Sequence, residues 1–313
     1  MSSALPVPRA PLGRRMARYK TLYLFLLPAV AVCLVFFYRP MLGLIMAFQD
    51  YSITKGLAGS PFVGLKHFVA FLGNPDFYAA LRNTLVINGL NIAIGFPLPI
   101  ILALALNALP DGPFKKSTQT ISYLPHFISW VVIAGLMYKI LDAQSGVVNL
   151  GLKALGGESV PFLRQPQSFW PLITTVAILK DLGWNTIIFL AALSSIDVEQ
   201  YEAAIVDGAT GWQRLTHVTL PGIAPVIGLM FIFTIGMIFS ANGNVSFDAI
   251  FNMRNALVRE TANTIDYYIY QEGVGQNRMS FAAAVGFAQN IVSFAIVMGA
   301  NALSRRIRGY GAF

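Results

Sequence analysis

The sequence has a single cysteine, Cys33, set inside an apolar run, so no disulfide framework holds this chain together. Charge is scarce as well. Charged residues are 12% of the 313 positions, about half of the ~25% usual in soluble domains. No Gly-x-x-x-x-Gly-Lys-Ser/Thr run is present, which excludes a phosphate-cradling loop for ATP in this chain. No His-Glu-x-x-His and no Gly-x-Ser-x-Gly occurs, so zinc-protease and nucleophile-elbow chemistry are excluded too. The three histidines, His67, His126 and His217, fall in three separate segments and read as structural or interfacial. Only one acid, Asp181, sits inside an apolar segment, which leaves a membrane-embedded enzyme without paired carboxylates.

What is present is hydrophobicity. Hydrophobic residues make up 56% of the chain and mean hydropathy is +0.62. A disordered chain is poor in such residues. The net charge of +8 is not a nucleic-acid signal, because no basic stripe with interleaved aromatics accompanies it. The cations lie between apolar segments instead, where membrane topology places them. A bilayer core needs about 20 apolar residues per helix. Six segments meet that length, near 21–46, 83–109, 119–141, 169–194, 222–241 and 281–303. The sequence therefore predicts an all-α polytopic membrane protein with six transmembrane helices. Its divisions are an N-terminal segment 1–20 and a single membrane domain 21–313, with a loop 195–221 and a tail 304–313.

The first 20 residues carry Arg9, Arg14, Arg15, Arg18 and Lys20 with no acid, and no small-x-small cleavage site follows the apolar run. A signal anchor with its N-terminus inside fits better than a cleaved leader. Six spans then place both termini in the cytoplasm. The inside segments hold 11 cations against 5 acids, and the outside segments 10 against 8. The termini and the short Lys115-Lys116 loop carry this bias. The outer loops, 47–82, 142–168 and 242–280, are long enough for small helices.

The loop between spans four and five is the most informative. Ser194 followed by Asp197 suggests a capping box opening a helix, and Asp197 and Glu199 suit the positive end of that helix. Tyr201, Ala204, Ile205 and Gly208 share one helical face, small and apolar, to which another surface can approach closely. Gly208 is a natural stop. A second short helix runs through Trp212 and Leu215, and Pro221 marks the start of the next span. Physics alone leaves two readings open: an interfacial helix resting on lipid and a helix on which a partner docks.

The spacing of this loop resembles the signature of binding-protein-dependent ABC importer permeases. That signature is Glu-Ala-Ala, three residues, Gly, nine residues, Ile-x-Leu-Pro. Here Glu202-Ala203-Ala204 leads to Gly208 and then to Val218-Thr219-Leu220-Pro221, with Val218 in place of Ile. Further stretches are similar to the branch that imports oligosaccharides, especially uronate-containing ones such as alginate fragments. Among them are Tyr123-Leu124-Pro125-His126-Phe127-Ile128-Ser129-Trp130, Gly183-Trp184-Asn185 and Ile265-Asp266-Tyr267-Tyr268. The resemblance implies four kinds of partner: a second homologous permease subunit, two ATPase subunits, an extracytoplasmic solute-binding protein and an oligosaccharide substrate. It implies that this chain binds no cofactor and has no catalytic residue or metal, ATP and Mg residing on the ATPase subunits. It places the chain in a bacterial inner membrane. It assigns the loop helix as the coupling helix, with Glu202, Ala203, Ala204, Asp207, Gly208, Leu220 and Pro221 as the coupling residues.

The substrate path is less marked. Lys180 and Asp181 are adjacent in the fourth span and point about 100° apart on a helix. They read either as a structural polar pair or as part of a sugar path. Asn88, Asn91, Asn185, Gln289 and Asn290 can bond sugar hydroxyls or act as interhelical glue, and Trp184 can stack on a sugar or pack. An acidic sugar would want cations, for which Lys139, Lys180 and Arg278 are candidates. The alternative function is an ion-coupled secondary transporter working without an ATPase. This chain shows no clear internal repeat of the kind common in that class.

Overall fold

A computed structural model describes residues 19–308. Most of the expected cytoplasmic N-terminal segment, with Arg9, Arg14, Arg15 and Arg18, lies outside the described residues, as does the end of the tail. Among the described residues there is no strand. One isolated bridge pairs Gln49 with Phe62.

Among the described residues five helices are long and apolar enough to cross a membrane: Lys20–Phe48, Pro75–Ala108, Pro166–Ser194, Gly211–Gly236 and Met279–Arg306. These are spans one, two, four, five and six. The third expected span, 119–141, is not one straight helix. It is the pair Pro113–Phe127 and Trp130–Ile140, bent by 103° at the break. Pro125 lies in a short 3-10 turn, Leu124–Phe127, and Ile128 and Ser129 are extended. Proline has no N–H to continue a helix. Ser129 opens a new helix by accepting the Val132 N–H at 3.4 Å.

Three membrane prolines elsewhere are accommodated without a break in the helix. The residue before Pro40, Pro97 and Pro221 in each case donates to a carbonyl five residues back. The bonds are Arg39 to Leu34, Phe96 to Asn91 and Leu220 to Leu215. Each proline is thus preceded by one widened turn, which makes room for a ring that would collide with the carbonyl four residues back. In consequence span five does not start at Pro221. It starts at Gly211, where Thr210 and Gln213 form a capping box, and it runs unbroken through Pro221.

Span four packs along the second half of span two and against the first half of broken span three, Pro113–Phe127. At one end of the bundle the loops 142–168 and 242–280 fold over the starts of spans two and four. Asn83 donates to the carbonyls of Glu260 and Asn263, both at 2.9 Å, and Trp170 Nε1 donates to Thr261 at 2.9 Å. Short helices such as Val147–Ala154 and Phe247–Met253 form in these loops. Span one joins the bundle mainly where its last turns, Leu42–Phe48, meet span six.

Candidate functional site: a surface helix and a polar cavity

The loop after span four forms a helix, Val198–Val206. Its cap is not the expected Ser194–Asp197 box. Ser194 bonds back to the Leu190 carbonyl at 3.0 Å, because span four continues through it. Asp197 caps instead, accepting the Glu199 N–H at 3.0 Å. The other end closes on Gly208, whose φ is +76°. Gly208 N–H reaches the Ile205 carbonyl at 3.0 Å and Ala209 N–H reaches Ala204 at 2.9 Å. This crossed pair of bonds needs a left-handed residue, which glycine supplies without strain.

The expected common face of Tyr201, Ala204, Ile205 and Gly208 is divided. Tyr201 and Ala204 are half-buried toward the bundle, and the Tyr201 hydroxyl lies 3.0 Å from Thr219 Oγ1. Ile205 and Gly208 are exposed with Glu202, Ala203 and Asp207. A nine-residue helix resting on span five has to spend its aromatic residue on that contact. The outward surface mixes these acids with apolar groups: Val206 is 87% exposed, Trp212 72% and Val198 65%. Leu220 is half-buried and Pro221 exposed, both within span five.

The second feature is a cavity of about 230 Å³ among spans two, three, four and five. Four of the residues expected along a substrate path line it: Asn91, Asp181, Trp184 and Asn185. The sequence reading missed three more, His126, Asn242 and Asn244. The sequence pattern reads His126 as structural or interfacial. Its signal was the proline before it, which breaks span three and turns the next residue inward. Asn242 and Asn244 flank Gly243 just after span five, where the sequence pattern reads only the start of a loop.

Three of these side chains form one unit. His126 Nδ1 lies 2.7 Å from Asp181 Oδ1. The imidazole stacks on the Trp184 indole, centroids 4.3 Å apart and planes 1° from parallel. Lys180 and Asp181 are not bonded to each other. Lys180 is buried and its ammonium donates to the backbone carbonyls of His126 and, at 3.4 Å, Pro125. It also lies over the Trp130 ring, 5.8 Å from the centroid. Lys180 thus serves the break in span three, whose freed carbonyls need a donor inside the membrane. Gly183 completes the seat. A Cβ there would lie 2.1 Å from the Ser122 carbonyl oxygen.

The remaining expected path residues are elsewhere. Asn88 is buried and donates to Thr84 at 3.0 Å within span two. Gln289 bonds the Phe239 carbonyl and, at 2.9 Å, Asp266 Oδ1. Gln289 thus ties span six to other elements, the use that burial among helices favours for amides, whereas the Asn88 bond stays within its own helix. Asn290 is exposed in a groove between spans one and six. Lys139 is exposed, and Arg278 pairs with Glu272 at 2.5 Å. Outside the spans, burial pushes the Asp266 carboxyl above its ordinary range, against the opposing pull of the Gln289 amide. Among the described residues no three His, Cys, Asp or Glu side chains gather to hold a metal.

Apolar spans packed around a cavity walled by amides, an indole and a hydrogen-bonded imidazole–carboxylate pair define a multi-pass membrane transport protein. Residues 95–309 match the family described as "Binding-protein-dependent transport system inner membrane component", and the chain belongs to that family. It is 40% identical over 299 residues to the Bacillus subtilis "Polygalacturonan/rhamnogalacturonan transport system permease protein YteP", covering 96% of this chain and 92% of that protein. It is 39% identical over 298 residues to Protein LplB of the same organism, covering 95% and 92%. A solved "bacterial alginate ABC transporter in complex with alginate pentasaccharide-bound periplasmic protein" contains a chain that is 40% identical. That chain superimposes with a TM-score of 0.87, covering 96% of this chain and 99% of its own length. The protein is therefore an inner-membrane permease subunit of an ABC transporter.

Proposed function

We propose that this chain is the transmembrane subunit of an ATP-driven importer of acidic, uronate-type oligosaccharides such as alginate fragments. The observation that carries the reading is the 40% identity and TM-score of 0.87 to a permease chain solved with an alginate-loaded binding protein. The polygalacturonan permease among its relatives points to the same sugar chemistry. A cavity walled by amide, indole and imidazole groups suits a hydroxyl-rich solute.

In this reading a solute-binding protein delivers sugar from outside to a pathway formed with a second homologous permease subunit. The helix Val198–Val206 is the cytoplasmic coupling helix and seats in a cleft of one of two ATPase subunits, which bind ATP and Mg. Its exposed Val198, Ile205, Val206 and neighbouring Trp212 supply apolar contact, and Glu202 offers a charge for a basic partner residue. Ala203 presents little bulk, and Gly208 fixes the turn. Family membership favours this ATP-driven reading over an ion-coupled transporter, for which the exposed helix has no use.

The test is Gly208→Pro in the assembled transporter. A proline cannot adopt the left-handed φ, so the helix end and its exposed face shift. The expected result is normal insertion, with ATP hydrolysis no longer stimulated by loaded binding protein and uptake lost. Wild-type stimulation and uptake in this variant would refute the docking role. Purification of the wild-type complex without any ATPase would refute the ATP-driven reading itself.

A further inference from the structure

We infer that His126 is the residue through which this permease distinguishes an acidic from a neutral sugar, with Asp181 and Trp184 as its positioning residues. The inference rests on the proposed oligosaccharide function and deepens it.

Among the described residues the cavity wall holds no lysine or arginine, and its one carboxylate is Asp181. The nearest cation in sequence, Lys180, spends its ammonium on the Pro125 and His126 carbonyls. An acidic sugar passing here meets a negative charge and one group able to answer it, the His126 imidazole. A carboxylate only accepts, so the proton between His126 and Asp181 sits on the Nδ1 side of the ring. Nε2 has no protein partner among the described residues. As an imidazolium the ring donates from both nitrogens. It then bridges Asp181 on Nδ1 and a sugar carboxylate on Nε2, each through a charge-assisted bond. A neutral sugar gains no such bond, and Asp181 gives it no charge to offset.

The ring is held for this task from three sides. Asp181 fixes Nδ1, the indole of Trp184 covers one face, and Lys180 pins the backbone of the same residue. The stack also constrains Trp184. One face of its indole is taken by His126, so a sugar has only the other face or the edge. His126 side-chain exposure of 32% leaves it open to a ligand.

The experiment compares uptake of a uronate pentasaccharide with uptake of its carboxyl-reduced, neutral counterpart. It uses proteoliposomes holding the complete transporter and its binding protein. The binding protein is the same in every sample, so a change in the acidic-to-neutral ratio belongs to the permease. In His126→Asn the amide N–H still reaches Asp181 but nothing replaces Nε2. The expected result is a fall in that ratio of about tenfold or more, the loss of one bond to a charged group. It comes from a raised half-saturation for the acidic sugar alone. Equal losses for both sugars, or an unchanged ratio, overturn the assignment. A wild-type complex that takes up neither sugar overturns the proposed function instead. A second measurement uses the wild-type complex only. Diethyl pyrocarbonate labelling read by mass spectrometry is expected to show His126 protected by the acidic pentasaccharide and not by the reduced one, with His67 and His217 unaffected. Equal labelling of His126 under both sugars overturns the assignment.

Discussion

Spans one and four are each 29 residues long, yet they behave in opposite ways. Span one is the more apolar, with a hydropathy of 2.3 against 1.6, and none of its apolar window is buried. Span four has 44% of its window buried. In water the more apolar helix would take the core. In lipid, apolar side chains lose nothing by staying outside, so burial follows small and polar residues that pack closely or bond across helices. Span four has both, in Gly183, Lys180, Asp181 and Thr186. Span one offers mostly Leu, Phe and Val, and these face outward.

The comparison is broken most forcefully at Gly183. Gly183→Ala puts a Cβ 2.1 Å from the backbone of Ser122, where no flexible side chain can yield. The expected cost is about 3 kcal/mol or more, at or beyond the upper end of overpacking effects. It would be read as a large loss of monodisperse protein or of melting temperature in detergent. Lys180→Ala comes next. It leaves the Pro125 and His126 carbonyls without their donor, at about 1–3 kcal/mol. Uptake of acidic oligosaccharide is expected to fall with it, because His126 loses its fixed place. Unchanged uptake would remove Lys180 from any part in the path.

A smaller effect, of the opposite sign, is expected at Asp266. Burial raises its carboxyl above the ordinary aspartate value of 3.8, so the folded state holds the proton more tightly than the unfolded chain. Stability then falls as pH rises through and above that value. Asp266→Asn removes the penalty while an amide oxygen still accepts from Gln289. Melting temperature is expected to rise near pH ~7, with the gain vanishing below 3.8. The smallest effect belongs to span one. Phe25 is 79% exposed, and Phe25→Ala is expected to change the stability of the chain purified alone by about 0.5 kcal/mol or less. A large destabilisation there would mean that span one is packed and would undo the contrast with span four.

Much of this architecture was legible beforehand. Five spans fall where long apolar runs demand them, because a bilayer imposes length and composition on any helix that crosses it. The stop at Gly208 was legible, since few residues accept a left-handed turn. The Glu202–Gly208 spacing alone carries the resemblance to the family. Other features were not legible. Pro125 and Pro221 look equivalent in a sequence, yet one breaks a span and the other does not. The difference lies in the neighbours. Span four supplies Lys180 to the carbonyls at Pro125, and a widened turn accommodates Pro221 from within its own helix. The same limit governed the polar residues. Asn91 and Asn185 reach the cavity while Asn88 and Gln289 do not, and only helix rotation and packing decide between them.

The sequence by itself determined that this is a multi-pass membrane permease with an exposed helix between its fourth and fifth spans. Those properties depend on hydropathy, turn chemistry and local spacing, which are written along the chain. The tertiary structure alone decided that His126, Asp181 and Trp184 meet. His126 and Asp181 are 55 positions apart and share no pattern. They come together because a proline breaks one helix, a glycine lets another approach, and a buried lysine holds the broken end in place.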